Sequence, residues 1–142
     1  MVAKSRESVL LRDKQAPGRS SRHHMLNDLV ARTFAAAGVP VAKEPVRLVR
    51  QDGKRPDGVT LVPFEGGRSL TWDVTVICTT ADSYTHLAVQ GPGCVAEVAA
   101  SRKEAKYATL QTHNDIQPIA VETLCPINES ATTFLYYVGR RI

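Results

Sequence analysis

Apolar residues recur along the chain with two different periods, and the changes of period divide it into elements. From about His24 to Ala37, Leu26, Leu29, Val30, Thr33, Phe34 and Ala37 fall at steps of three and four residues, the spacing that lines one face of a helix. Gly38 supplies a C-terminal stop and Pro40 follows it. Val39–Val49 then predicts a strand, or two short strands interrupted at Pro45, because proline has no N–H to give a ladder. Asp-Gly occurs at 52–53 and again at 57–58, and the first pair predicts a hairpin turn. Gly58–Phe64 reads as the next strand, and Gly66-Gly67 as a tight turn.

Ser69–Thr79 carries the strongest strand signal. Leu70, Trp72, Val74 and Val76 point to one side, and Thr71, Asp73, Thr75 and Ile77 to the other. One face is therefore apolar, while the other holds a carboxylate at its centre. Residues 79–93 read as a loop ending in Gly91-Pro92-Gly93, and Cys94–Leu110 as a helix dominated by Ala, Glu, Lys and Arg. Ile116–Leu124 predicts a last strand, and Ser130–Gly139 a closing helix with Asn128 or Ser130 near its N-cap. Hairpin-linked strands followed by a helical crossover predict an α/β fold, with a mixed central sheet flanked by helices.

Composition narrows the class without deciding the function. The 142 residues suit one domain, with 43% hydrophobic and 23% charged positions. No apolar run is long enough to span a membrane, and the first residues lack the apolar core of a secretory signal. Residues 1–21 are basic and Ser-rich and are expected to form a flexible arm, with the domain proper over 22–142. Three cysteines at irregular spacing give neither a disulfide framework nor a zinc pattern, which suits a reducing, intracellular compartment, nuclear or cytoplasmic. The net charge of +4 permits binding to phosphate backbones. Positive charge gathers in the arm, in Arg47, Arg50, Lys54 and Arg55, and at Arg140 and Arg141.

Four polar residues stand where polar residues are unusual. Asp73 lies inside the best strand, where an uncompensated carboxylate costs several kcal/mol; a salt bridge or a metal ion would compensate it. On a helical wheel Ala96, Ala99, Ala100, Tyr107 and Leu110 form one stripe with Lys103 in its middle and Lys106 at its edge. A lysine there either snorkels past the alanines or meets an anion. Asp57, after Pro56, reads by itself as turn chemistry, and Glu44 as a surface charge pairing with Lys43 or Arg47. Taken together, two aspartates on neighbouring strands, a glutamate and an inward lysine make one site. Clustered carboxylates repel and call for a divalent cation, and hard oxygen ligands select Mg²⁺ or Mn²⁺. Such an ion polarises a phosphodiester and acidifies a bound water, while a lysine can stabilise developing negative charge.

Arg55-Pro56-Asp57, with Asp73 inside an apolar strand, resembles the signature of the PD-(D/E)XK nucleases. RHHMLND at the first helix, Glu44-Pro45, GKRPDG, WDVTV, RKEAKY and PIAVETLCPIN are similar to the restriction-like endonuclease domain at the C-terminal end of certain non-LTR retrotransposon reverse-transcriptase polyproteins. The resemblance runs from about Arg22 to Ile142. It implies a helix–three strands–helix–strand core with a C-terminal helix, and metal binding by Asp57 and Asp73, with Glu44 a further ligand or a positioning group. The family's lysine usually follows the second acid by two positions; Thr75 stands there. In the variant that takes its lysine from the next helix, Lys103 faces the metal and Lys106 the DNA backbone. No Cys-x-x-Cys precedes His23 and His24, so they read as helix-start residues near solvent or DNA, not as zinc ligands.

The resemblance implies a Mg²⁺- or Mn²⁺-dependent DNA endonuclease, a fragment of a longer polyprotein or a degenerate copy. Its backbone contacts would come from the arm and from Arg22, Arg47, Arg50, Lys54 and Arg55, with element RNA a further partner. The alternative is a catalytically inactive nucleic-acid-binding remnant of a mobile element, which Thr75 at the lysine position favours. No G-x-S-x-G, Walker or dinucleotide-binding motif points elsewhere.

Overall fold

The computed structural model describes residues 19–48, 55–79, 84–108, 114–123 and 126–142, except the side chains of Arg19 and Arg47. In chain order the elements are α1 (Arg19–Ala36), β1 (Val41–Lys43), a 3₁₀ turn (Val46–Leu48), β2 (Gly58–Thr60), β3 (Ser69–Ile77), α2 (Thr85–Ala88), α3 (Cys94–Lys106), β4 (Asn114–Glu122) and α4 (Glu129–Gly139). The four strands form one sheet in the order β1-β2-β3-β4. β1 and β2 pair antiparallel, as do β2 and β3, whereas β3 and β4 run parallel across nine residue pairs, Ser69–Asn114 to Ile77–Glu122. The fold is thus mixed α/β, with helices against the sheet. Among the described residues no helix is long and apolar enough to cross a membrane.

The alternation along β3 separates two cores. Leu70, Trp72 and Val74 pack with Val30 and Phe34 of α1 and with Phe134 and Val138 of α4. Ile77 joins Val95, Ala96, Ala99 and Ala100 of α3 and Ala120 of β4 in a second cluster. Small residues on α3 let its backbone lie close over this second face. Asp73 shares that face, so the helix and the carboxylate are brought together by the same two-residue period.

Several boundaries differ from the sequence expectation. α1 begins at Arg19, so residues 19–21 are helical; the rest of the expected arm, 1–18, lies outside the described residues. The polar first turn of α1 carries no apolar repeat from which a start could be read. At its other end Gly38 adopts φ +77°, Val39 N–H donates to Phe34 O (2.9 Å) and Gly38 N–H to Ala35 O (3.0 Å), a Schellman stop. β2 is shorter than the expected Gly58–Phe64 because Thr60 breaks the ladder. Its hydroxyl accepts from Leu70 N–H (2.9 Å) and donates to Val62 O (2.9 Å). Of the strand or strand pair expected over 39–49, only Val41–Lys43 forms among the described residues; Glu44 at φ +50° and Pro45 end it, and Val46–Leu48 make a 3₁₀ turn instead of a second strand. α2 occupies part of the segment read as loop. The Asp52-Gly53 turn lies outside the described residues.

Asn128 does not cap α4 with its side chain, although it occupies the N-cap position. Fully buried, it accepts from Ala120 N–H (2.8 Å) and donates to Pro118 O (3.3 Å). It thereby satisfies backbone groups along the outer edge of β4.

Candidate active site

Asp57 and Asp73 become neighbours through strand register. Gly58 pairs with Trp72, and Asp57 N–H donates to Trp72 O (3.0 Å), which places Asp57 beside Asp73 one step further along. The close approach depends on Gly58, since a Cβ there would lie 2.0 Å from Trp72 Cζ2. Trp72 is fully buried; its indole N–H donates to Asn27 Oδ1 (2.8 Å), and Asn27 Nδ2 donates to the Asp57 carbonyl (3.3 Å). One residue of α1 is therefore bonded both to the strand carrying Asp73 and to the residue carrying the other acid.

The side chains converge on a cavity of about 440 Å³ lined by Asp57, Asp73, Thr75, Lys103, Lys106 and His23, among others. Lys103 Nζ stands 2.6 Å from Asp73 Oδ2. That ammonium is the charge facing this buried oxygen, while Thr75 Oγ1, also buried, has no hydrogen-bond partner. Asp57 Oδ2 accepts twice, from Val74 N–H (2.6 Å) and from His23 Nε2 (3.0 Å). Lys106 also lines the cavity, with its ammonium 5.6 Å from the centre of the Tyr107 ring. The Tyr107 hydroxyl donates to Arg55 O (3.1 Å), tying the end of α3 to the backbone just before Asp57.

The two acids titrate in opposite directions. Burial pushes Asp73 up to about 6; the Lys103 charge opposes this, and the neighbouring Asp57 adds to it. Burial also pushes Asp57 upward, but hydrogen bonds from His23, Asp73 and Val74 N–H outweigh it and hold this carboxyl below its ordinary value. His23 is raised, first by its hydrogen bond to Asp57 and then by the charges of both acids, against burial and Lys103.

Asp57, Asp73, Lys103 and Lys106 thus line one cavity, as does Arg55. Glu44 does not line it: the residue is exposed, and its carboxylate meets Arg55 at 3.3 Å. Arg22 is exposed and borders a separate apolar cavity beside Met25 and Leu29. The side chain of Arg47, and all of Arg50 and Lys54, lie outside the described residues. His23, expected as a helix-start residue near solvent or DNA, instead lines the cavity and bonds to Asp57. The available signal was its four-residue spacing from Asn27, which places two polar residues on the same helical face.

Among the described residues no three His, Cys, Asp or Glu side chains are grouped to hold a metal ion. Two acids nevertheless suit Mg²⁺, which commonly takes one or two carboxylates and keeps waters or phosphate oxygens in its remaining positions. The carboxylates of Asp57 and Asp73, side by side on the wall of one cavity, are hard donors of that kind. The chain matches no protein-family model and no curated protein.

Proposed function

We propose that this chain is a Mg²⁺- or Mn²⁺-dependent DNA endonuclease domain of the PD-(D/E)XK type, similar to the endonuclease domain of non-LTR retrotransposon polyproteins. The supporting observation is the meeting of Asp57 and Asp73, from adjacent strands, with Lys103 from the crossover helix at one cavity. On this reading α1, β1 to β3, α3 and β4 are the restriction-endonuclease-like core, and α4 is the C-terminal helix. The lysine that Thr75 cannot supply comes from α3, distant in sequence but lining the same cavity.

Asp57 and Asp73 would hold the divalent ion. When bound, that ion supplies Lewis-acid polarisation of the phosphodiester and acidifies a water. Everything else falls to the chain's own groups. Lys103 brings a fixed positive charge to the place where negative charge grows on the phosphate. Arg55 and Lys106 on the cavity wall are suited to seat the phosphate backbone. Asp73 gives up its proton near neutrality, so the site charges fully only above about pH 6 while it is metal-free.

The test is nicking of supercoiled plasmid with and without Mg²⁺, comparing wild type with Asp73→Ala. Mg²⁺-dependent nicking by wild type alone supports the reading. Equal nicking by both proteins, or none by either, leaves a nucleic-acid-binding module without chemistry.

A further inference from the structure

His23 belongs to α1, 34 residues before Asp57 in the chain, yet its imidazole reaches the carboxylate of Asp57. Three observations make this more than a surface contact. The His23 side chain is only 29% exposed and faces the same cavity as Asp73 and Lys103. The rotation of α1 is fixed one turn on by Asn27, which is buried and bonded to both Trp72 and the Asp57 carbonyl. Finally, His23 and Val74 N–H both fall on the same oxygen, Oδ2.

That last feature has a chemical consequence. A carboxylate free to rotate can offer either oxygen, or a compromise between them, to a cation. With Oδ2 held by two donors, the carboxylate is oriented and Oδ1 is the oxygen left to a ligand in the cavity. Val74 N–H holds Oδ2 from β3 and His23 holds the same oxygen from α1, so rotation about Cβ–Cγ is opposed from two directions and is freer when His23 is removed.

We infer that His23 is the positioning residue of this site, orienting the Asp57 carboxylate for a divalent cation through its bond to Oδ2. The inference rests on the metal-dependent reading above. It assigns His23 no contact with substrate and no proton transfer. Removing a group that orients a metal ligand typically weakens metal affinity by about 10–100-fold.

The measurement is Mn²⁺ binding without DNA, read from the free Mn²⁺ electron paramagnetic resonance signal at constant pH. Wild type, Asp57→Asn, His23→Ala and His23→Gln would be compared, with melting curves reporting the fold. Alanine is a good helix residue, so the Ala variant is expected to fold. His23→Asn, polar but shorter than glutamine, replaces it should it not. The inference expects wild type to bind, Asp57→Asn to lose binding, and His23→Ala or His23→Asn to bind at least ~10-fold more weakly. Glutamine, whose amide can donate from near the Nε2 position, is expected to restore affinity to within about 3-fold, well inside that loss. A purely structural role would move melting temperature without this recovery. Should wild type fail to bind Mn²⁺, the metal-dependent reading falls and takes the inference with it. Should wild type bind while His23→Ala binds equally, or His23→Gln prove as weak as alanine, the role of His23 alone is overturned.

Discussion

Lys103 Nζ lies 2.6 Å from Asp73 Oδ2, joining the last turn of the crossover helix α3 to the middle of β3. The contact explains how a lysine can sit on an alanine-lined helix face. It also explains how a carboxylate can sit within a buried strand. Asp73 is not fully compensated, since burial still raises it to about 6. The pair therefore favours holding charge ready at this place over maximal stability, as functional sites commonly do.

Replacing Asp73 by Asn should stabilise the metal-free protein near pH 8. The folded value of about 6 exceeds the ordinary 3.8, so the folded state binds the extra proton between those values. Stability from this group is greatest below about 3.8 and is lost as pH rises towards 6. Asp73→Asn should remove a penalty of roughly 1–3 kcal/mol at pH 8, raising the melting temperature by several degrees in EDTA. The difference should shrink as pH falls from 6 towards 4. A melting temperature below that of wild type at pH 8 would show that the Lys103 contact outweighs burial.

Lys103→Met should separate chemistry from metal binding. Loss of the ammonium is expected to cut Mg²⁺-dependent nicking about 100-fold or more. Mn²⁺ affinity should hold or improve, because a competing cation has gone. The Lys103 charge lowers Asp73, so without it the acid should ionise at still higher pH in the metal-free protein. Nicking at wild-type rates would remove Lys103 from the mechanism.

Gly58→Ala tests the geometry that brings the acids together. Its Cβ would fall 2.0 Å from Cζ2 and 2.3 Å from Cε2 of Trp72, a ring with no room to move. Overpacking of this kind costs about 1–3 kcal/mol and occasionally more. The urea midpoint should drop accordingly, and Mn²⁺ binding should weaken in the fraction that remains folded. An unchanged midpoint would mean that β2 and β3 are not held at this spacing.

Much of the site was legible in the sequence because it obeys periodicity. The two-residue alternation of β3 put Asp73 opposite the Leu70–Trp72–Val74 face, and the wheel of α3 put Lys103 among its alanines. Both arise from local geometry that one segment encodes alone. The placement of His23 comes from how α1 lies against β1 and β3, a relation fixed in part by the Asn27–Trp72 hydrogen bond and not written in α1 alone. Glu44 misled for a similar reason. It stands near Asp57 in the sheet, with its N–H donating to Asp57 O (2.8 Å), but its left-handed backbone is followed by a carboxylate turned to Arg55. The ends of β2 were obscured because Thr60, a good strand residue, spends its hydroxyl on ending the ladder.

Anomalous diffraction from a crystal soaked in Mn²⁺ addresses the metal site most directly. The expected result is a peak within about 2–2.5 Å of one oxygen from Asp57 and one from Asp73, with Lys103 alongside; these are ordinary distances for hard cations on carboxylates. A crystal that takes up Mn²⁺ elsewhere, or shows no peak between these two acids at millimolar Mn²⁺, would contradict the account.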